Sequence, residues 1–153
     1  MTTTARTYTS RRANIIAALT NKLKNINGAG QFLTDLQNNV HPRLKFWDEV
    51  VDFPAIHLNA GAESRVYQGG GYKDRFLNVT VRCYVNDEDN AQEQLNLLME
   101  DVETVLEENN RLPYVDAQNK SFTTQQITIL SIDTDEGVLE PLGVGELQVE
   151  VRY

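Results

Sequence analysis

The sequence predicts an α+β fold, an antiparallel or mixed β-sheet with two helices packed on one face, in the order α-β-β-β-α-β-β. Three observations lead to it. Two stretches carry apolar residues at helical spacing, a central stretch alternates strictly between apolar and polar residues, and two more alternating stretches close the chain. The 153 residues contain no repeat and no linker-like tract. We therefore expect one domain over residues 10–153, preceded by a flexible, Thr-rich arm at residues 1–9.

The first helix is predicted from about Ser10 to Ile26. Ser10 is a suitable N-cap, and Gly28 suits the left-handed conformation that follows a last helical turn. The apolar stripe at helical spacing comprises Ile15, Ile16, Leu19, Leu23 and Ile26.

The next part of the chain is less regular and leads into a strand. Gln31–Leu36 fits either a short strand or a turn, and Pro42 breaks any helix there. Val51–Leu58 is typical of a strand in which Pro54, which has no amide hydrogen, belongs at an edge or near the start. Gly69–Gly71 then predicts a flexible loop, because three glycines are costly to order.

The alternating stretch Tyr72–Val85 predicts the central strand, and a second amphipathic helix follows it. The buried side of the strand is predicted to comprise Leu77, Val79, Val81, Cys83 and Val85. The acids within Asn86–Asn90 suit a helix N-terminus. The stripe of this second helix comprises Ala91, Leu95, Leu98, Val102 and Val105, widened by Met99 and Leu106.

Two further strands are predicted at Phe122–Ile132 and Glu146–Tyr153. Asp133–Gly143 between them is long for a hairpin loop, so we expect it to take part in binding or to become ordered on contact. Its acidic side chains are candidate interface residues, namely Asp135, Glu136 and Glu140.

Charge is distributed unevenly along the chain. The net charge is −8; residues 1–50 carry seven basic and three acidic residues, whereas residues 51–153 carry seven basic and nineteen acidic ones. An acidic protein is poorly suited to gripping nucleic acid, because affinity for phosphate comes from Lys and Arg. The split instead favours complementary faces, either within the fold or between copies of it.

No constellation of residues predicts catalysis, a cofactor or a metal. His41 and His57 lack the spacing of a metal or nucleophile motif and are interpreted as structural or surface residues. Asp133–Gly137 resembles the start of a calcium loop, but the twelfth position is Val144 rather than a bidentate Glu. Gly69–Gly71 is followed by neither Lys-Ser/Thr nor a helix, so it is not a phosphate loop.

Membrane spanning and secretion are not expected. No stretch approaches the roughly 18–20 uninterrupted apolar residues of a spanning helix, and the N-terminus shows no secretory signal. Cys83 is the single cysteine, which excludes an internal disulfide.

Aromatic and basic residues bracket the glycine loop. This composition is typical of a protein contact surface, and an ordinary exposed hairpin is the alternative. Trp47 fits either a ligand platform or, more commonly, a side chain packed over the edge of a core. The residues around the loop are Arg65, Tyr67, Tyr72, Lys73 and Arg75.

Several of these segments resemble bacteriophage tail terminator (tail completion) proteins of long-tailed phages. The strand entry carries the similarity in Trp47-x-Glu49-Val50-x-Asp52-Phe53-Pro54-Ala55-Ile56, followed by Gly61-x-Glu63 and Tyr67. The strand Leu77-x-Val79-x-Val81, the helix after it, and Thr134–Gly143 leading to Val149-x-Val151-x-Tyr153 are also similar. The resemblance covers roughly residues 10–153.

The resemblance implies a structural virion protein rather than an enzyme, with no cofactor. Such a protein is a subunit of a ring, expected to be hexameric, that caps the head-proximal end of the tail tube, stops tube polymerisation and offers a docking surface to the head. The implied partners are further copies of the chain, the tail tube protein, a head-completion or connector protein and the C-terminus of the tape-measure protein. DNA would pass through the lumen without specific binding, no membrane is involved, and assembly would take place in the host cytoplasm.

Two other functions stay open at this point. One is a head–tail connector or another neck or tail-completion subunit, and the more distant one is a small-ligand-binding α+β domain. For a ring, we expect the basic first helix of one copy to meet the acidic second helix of the next, and an acidic lumen wall to keep DNA from adhering. The pairing would join Arg11, Arg12, Lys22 and Lys24 to Glu100, Glu103 and Glu107 of a neighbour.

Overall fold

The computed structural model describes residues 9–153 and has the predicted α+β architecture. Five strands form a mixed sheet in the order β1-β2-β3-β7-β6, and β4 pairs with β5 in a separate two-stranded sheet. Only the β1–β2 pair is parallel. The elements are α1 (Arg11–Leu23), β1 (Val40–His41), β2 (Ala55–Tyr67), β3 (Lys73–Asn86), α2 (Ala91–Glu108), β4 (Pro113–Val115), β5 (Ser121–Thr123), β6 (Gln126–Thr134) and β7 (Leu142–Arg152).

Helix α1 begins where the sequence predicts and ends three residues early. The Ser10 side chain accepts a hydrogen bond from the Ala13 amide at 3.1 Å. The helix ends at Leu23 because the next amides turn back to nearer carbonyls, with Ile26 N donating to Leu23 O at 3.1 Å. Gly28 follows with φ +74°. The predicted arm, residues 1–9, lies outside the described residues apart from Thr9.

Strand β2 is longer than predicted, and β3 is the central strand as predicted. β2 starts directly after Pro54 and continues past the predicted end at Leu58 to Tyr67. A bulge between Ala60 and Glu63 lets the strand pass Gly61 while keeping its pairing with β3.

Both helices cover the same face of the sheet, and the core lies between them and β3 and β7. α2 lies very close to β7: a Cβ added at Gly143 would stand 3.2 Å from the Ala91 carbonyl oxygen, and one at Gly145 2.6 Å from Met99 Sδ. Glycine at these two positions therefore sets how closely the helix approaches. The central core residues are Ile15, Leu19 and Leu23 from α1, Leu95, Leu98 and Val102 from α2, Leu77, Val79 and Val81 from β3, and Leu147, Val149 and Val151 from β7.

The prediction of one strand over Phe122–Ile132 is wrong, because the chain divides at Thr124. The buried Thr124 hydroxyl donates to Asn110 O at 2.6 Å and accepts from Leu112 N at 2.8 Å. These bonds hold the chain against the end of α2, so that β5 pairs with β4 and β6 begins separately. The β4–β5 hairpin has no counterpart among the predicted elements.

The predicted long loop Asp133–Gly143 is a compact turn. β6 extends to Thr134 and β7 starts at Leu142, which leaves few residues between them. The Asp135 carboxylate accepts hydrogen bonds from Leu139 N at 3.1 Å, Val144 N at 3.2 Å and the Gln92 amide at 2.9 Å. The turn is therefore ordered by its own chain rather than by a partner.

Candidate protein-binding surfaces

The structure brings no metal-binding group together within residues 9–153, where no cluster of three or more His, Cys, Asp or Glu side chains is found. None of the helices in this part of the chain is long and apolar enough to cross a membrane. His41 and His57 stack with ring centroids 4.9 Å apart, and His57 Nδ1 lies 3.0 Å from the Arg43 carbonyl. Burial, together with nearby positive charge, lowers the pKa of both rings. The pair is thus a structural element at the β1–β2 junction.

The five residues predicted around the glycine loop lie together at one end of the sheet. We call this the hairpin end; it comprises the β2–β3 turn with the start of β6 and the end of β7. Tyr67 and Tyr72 are 71% and 75% exposed, and Lys73 Nζ lies 5.9 Å from the Tyr67 ring centroid. Arg75 lies over the Tyr153 ring at 5.4 Å, and Arg65 pairs with an acid on its own strand. The hairpin end therefore presents aromatic rings with cations beside them.

A hydrogen-bonded network that the sequence did not reveal supports the hairpin end. The Tyr153 hydroxyl donates to the Glu63 carboxylate, which also pairs with Arg65 Nε at 2.8 Å. Burial alone would raise the pKa of Glu63, but the bonds from Tyr153 and Arg65 outweigh it and lower that pKa. Burial, with the adjacent Glu63 carboxylate, raises the pKa of Tyr153 to about 12. The network anchors Tyr153 to β2.

The opposite end of the sheet is strongly acidic, and we call it the acidic end. Three segments meet there, residues 46–53, 86–90 and 133–141, with three, three and four acidic residues and no basic one. The predicted residues Asp135, Glu136 and Glu140 all belong to it. Apolar side chains stand exposed among these acids, and sequence reasoning singled out only Trp47 of them. The exposed set is Phe46, Trp47, Val51 and Val138.

The four cations predicted on the first helix are divided between its two flanks. Arg12 and Lys24 line a groove of about 600 Å³ between α1 and β2, and Arg12 donates to the Gly61 carbonyl across it. Arg11 lies 5.3 Å from the Phe122 ring centroid on the other flank. Lys22 follows Arg11 on that flank, about three helical turns later.

The three acids predicted on the second helix stay together. Glu103 and Glu107 line a second groove, formed by α2 and β6, and the exposed Glu100 lies one turn before Glu103. Within residues 9–153 the ion pairs are Arg65–Glu63, Arg82–Glu146 and Arg152–Asp74. The cations of α1 and the acids of α2 therefore do not meet within one copy.

In the part of the chain that the structure describes, two edges of the main sheet are open along most of their length. β6 pairs with β7 on one side only. β1 pairs with only Ile56 and His57 of β2, so residues 58–67 of β2 have no outer partner among the described residues 9–153. α1 flanks the β2 edge and α2 flanks the β6 edge, so one side of the subunit is basic and the other acidic. Leu130 and Ile132 stand exposed on β6, at 54% and 45%.

Comparison with known proteins agrees with a protein of the phage tail. A chain in the solved structure "Virion of native gene transfer agent (GTA) particle" shares the fold with a TM-score of 0.57 at 11% identity, over 95% of this chain and 98% of that chain. The "Tail tube terminator protein p142" of Escherichia phage T5 is 29% identical over 149 residues, covering 93% of this chain and 92% of that protein. The family model described as "Bacteriophage Tail Tube Terminator Protein" matches residues 9–153. The chain therefore belongs to the bacteriophage tail tube terminator family, a structural protein of the virion tail and not an enzyme.

Proposed function

We propose that this chain is the subunit of a closed homo-oligomeric ring, a hexamer, that caps the head-proximal end of the tail tube. Bound there, the ring stops the addition of further tube subunits and offers a docking surface to the head-completion or connector protein. The chain is a tail terminator by family. The ring, its sixfold stoichiometry and the head contact are our proposal.

The observation that carries the proposal is the difference between the two sides of the sheet. One side presents the β2 edge with Arg12 and Lys24, and the other presents the β6 edge with Glu103 and Glu107. When two different patches form the interface, each copy is rotated by the same angle relative to the one before it. A closed ring forms when these rotations add up to a full turn. A subunit with two like sides would instead favour an isologous dimer.

The two ends of the sheet supply contacts for other proteins. With both sides occupied by neighbouring copies, the hairpin end and the acidic end are left for the tail tube protein and for the head-completion protein. Their chemistry differs, since one end carries Tyr67, Tyr72 and cations while the other carries exposed apolar residues among acids. One ring can therefore bind two different partners without competition. The C-terminus of the tape-measure protein is a third expected partner, because tube length must be sensed where polymerisation stops.

DNA is expected to pass through the ring without specific binding. Residues 51–153 carry twelve more acidic than basic residues, and like charge keeps a polyanion from adhering to a lumen wall. A ring structure with a basic channel would contradict this part of the proposal.

Deletion of the gene from the phage, followed by electron microscopy of the particles, tests the function. We expect overlong or ragged tails that are detached from filled heads. Complementation from a plasmid restores tail length and infectivity and serves as the control.

Two other outcomes would overturn the proposal in different ways. Tails of normal length that fail to join heads would make the protein a connector. Normal infectious particles would remove it from tail completion altogether.

A further inference from the structure

We propose that copies of this chain join edge to edge, with β6 of one copy adding as an antiparallel strand to β2 of the next and entering the groove between α1 and β2. The inference rests on the proposed ring and names the contact that would build it. It commits the groove to one occupant, a second copy of the chain.

Strand directions permit this join without any change of fold. β2, β3, β7 and β6 are each antiparallel to their neighbour, so β2 and β6 run in opposite directions. A neighbour related by rotation about an axis along the strands would therefore bring its β6 antiparallel to β2. The open lengths also match, with ten residues at 58–67 of β2 and nine in β6.

The helices fall into register with the same join. Because α1 and α2 cover the same face, joining the two edges places α1 of one copy beside α2 of its neighbour. Arg12, which bonds the Gly61 carbonyl on β2, then lies level with Glu103 and Glu107, which flank residues 126–129 at the far end of the same rows. Opposite charges at this contact favour correct orientation and disfavour two like sides coming together.

Apolar groups are also matched across the join. The groove has a floor of small side chains, among them Ala13, Ala17 and Ala60. Ile132 pairs with Leu147 of the core, so it lies on the helix-covered face of β6, yet it is 45% exposed. The exposed bulge residue Leu130 stands close to it. Long open edges with exposed apolar residues are usually protected in monomers, and here a second copy would provide the cover.

Cysteine cross-linking in phage particles tests the contact. The native Cys83 is fully buried, so only the introduced cysteines are expected to react with the cross-linker. Asn59, on β2, and Ser131, on β6, lie at the two ends of one row of paired residues across the sheet, and Ser64 and Gln126 lie at the ends of another. All four are exposed. A short bismaleimide links two cysteines even when the facing strands are one or two residues out of register. Each β2 site is combined with each β6 site, so that a larger shift between the two strands is also detected.

The expected products distinguish unlike from like sides. Particles that contain only Asn59→Cys, or only Ser131→Cys, should give no covalent dimer. Particles assembled from a mixture of the two single variants should give covalent dimers and nothing larger. The double variant Asn59→Cys/Ser131→Cys should give a ladder of cross-linked oligomers that ends at the closed ring. Infectious particles without cross-links from any of the four combinations would overturn the edge contact and leave the terminator function standing. Dimers formed by a single variant alone would also overturn it, because they require like sides to meet.

Charge reversal gives an independent test if the cysteine variants fail to assemble. Arg12→Glu is expected to lower ring formation by about two- to five-fold per contact, and Arg12→Glu/Glu103→Lys to restore it. Arg11→Glu is the matched control: Arg11 lies in the same first turn of α1, so its charge change meets the same helix dipole, but it is on the other flank, beside Phe122. Equal effects of the two Arg variants, or no rescue by Glu103→Lys, would contradict the pairing. A deletion phage with normal tails would instead refute the function and would leave these measurements on the contact unaffected.

Discussion

Replacing Asp101 with Ala should release the segment after α1 from α2 and lower stability markedly. Asp101 lies in the middle of α2 and is 1% exposed. Its carboxylate accepts from Leu33 N at 3.0 Å, from Thr34 N at 2.8 Å and from the Thr34 hydroxyl at 2.6 Å. These bonds attach the irregular segment that follows α1 to the second helix.

The magnitude follows from the donors that would lose their partner. A hydrogen bond to a charged group contributes about 1.5–3 kcal/mol, and a buried donor without a partner adds a desolvation cost. Thr34 is only partly buried, so water replaces some of the loss. We expect Asp101→Ala to lower the free energy of unfolding by about 2–4 kcal/mol and Asp101→Asn, which keeps one acceptor, by about half as much.

Urea unfolding at neutral pH measures this effect. Glu100→Ala is the control, because Glu100 is the exposed neighbour on the same helix, and we expect it to change stability by less than about 0.5 kcal/mol. Hydrogen exchange should also show faster exchange at the Leu33 and Thr34 amides in Asp101→Ala. An Asp101→Ala variant as stable as Glu100→Ala would refute the reasoning from these three hydrogen bonds.

Three further predictions follow from the core and the buried titratable groups. Gly143→Ala should lower the free energy of unfolding by about 1–3 kcal/mol in urea titrations, because its Cβ meets a β-branched side chain and a helix carbonyl; Gly145→Ala, which meets the flexible Met99, should cost less, and equal costs would contradict the distinction. Burial lowers the pKa of His57 and His41 below 6.5, so in mildly acidic solution the unfolded chain binds more protons than the folded chain. The free energy of unfolding should therefore be highest above pH 6.5 and should fall as the pH drops below that value. A free energy of unfolding that stays constant between neutral and mildly acidic pH would refute this. Burial raises the pKa of the Cys83 thiol to about 12, so a thiol reagent should react with the native protein only at the rate of unfolding, and rapid labelling in native buffer would disprove it.

The sequence was informative where periodicity alone determines structure. The stripes of α1 and α2 and the alternation of β3 are one-dimensional patterns, and they predicted which residues are buried. The end of β2 was missed because its outer half is exposed on both faces and therefore shows no alternation. The break at Thr124 depends on bonds to Asn110 and Leu112, which no local pattern encodes.

Buried polar residues were the hardest to predict. Asp101 stands in the acidic run of α2 and is indistinguishable by spacing from its exposed neighbours, yet it faces inward to meet two amides of a distant segment. Tyr84 points away from the helices as the alternation predicts, but it is buried by a small second cluster with Val50 and Ala55. In both cases the partner comes from irregular chain, whose path the sequence does not reveal.

Charge shows the same limit at the scale of the whole molecule. Summed along the chain, it divides near residue 50 into a basic and an acidic part. In the folded sheet, however, antiparallel pairing brings residues 46–53, 86–90 and 133–141 to one end of the strands, while the flanks of α1 and α2 carry opposite charge at right angles to that direction. A sum of charges along the sequence cannot distinguish the charge difference across the sheet from the charge difference along the strands. The separation matters for assembly, because charge across the sheet can direct copies toward each other while charge along the strands distinguishes the two partners at the ends.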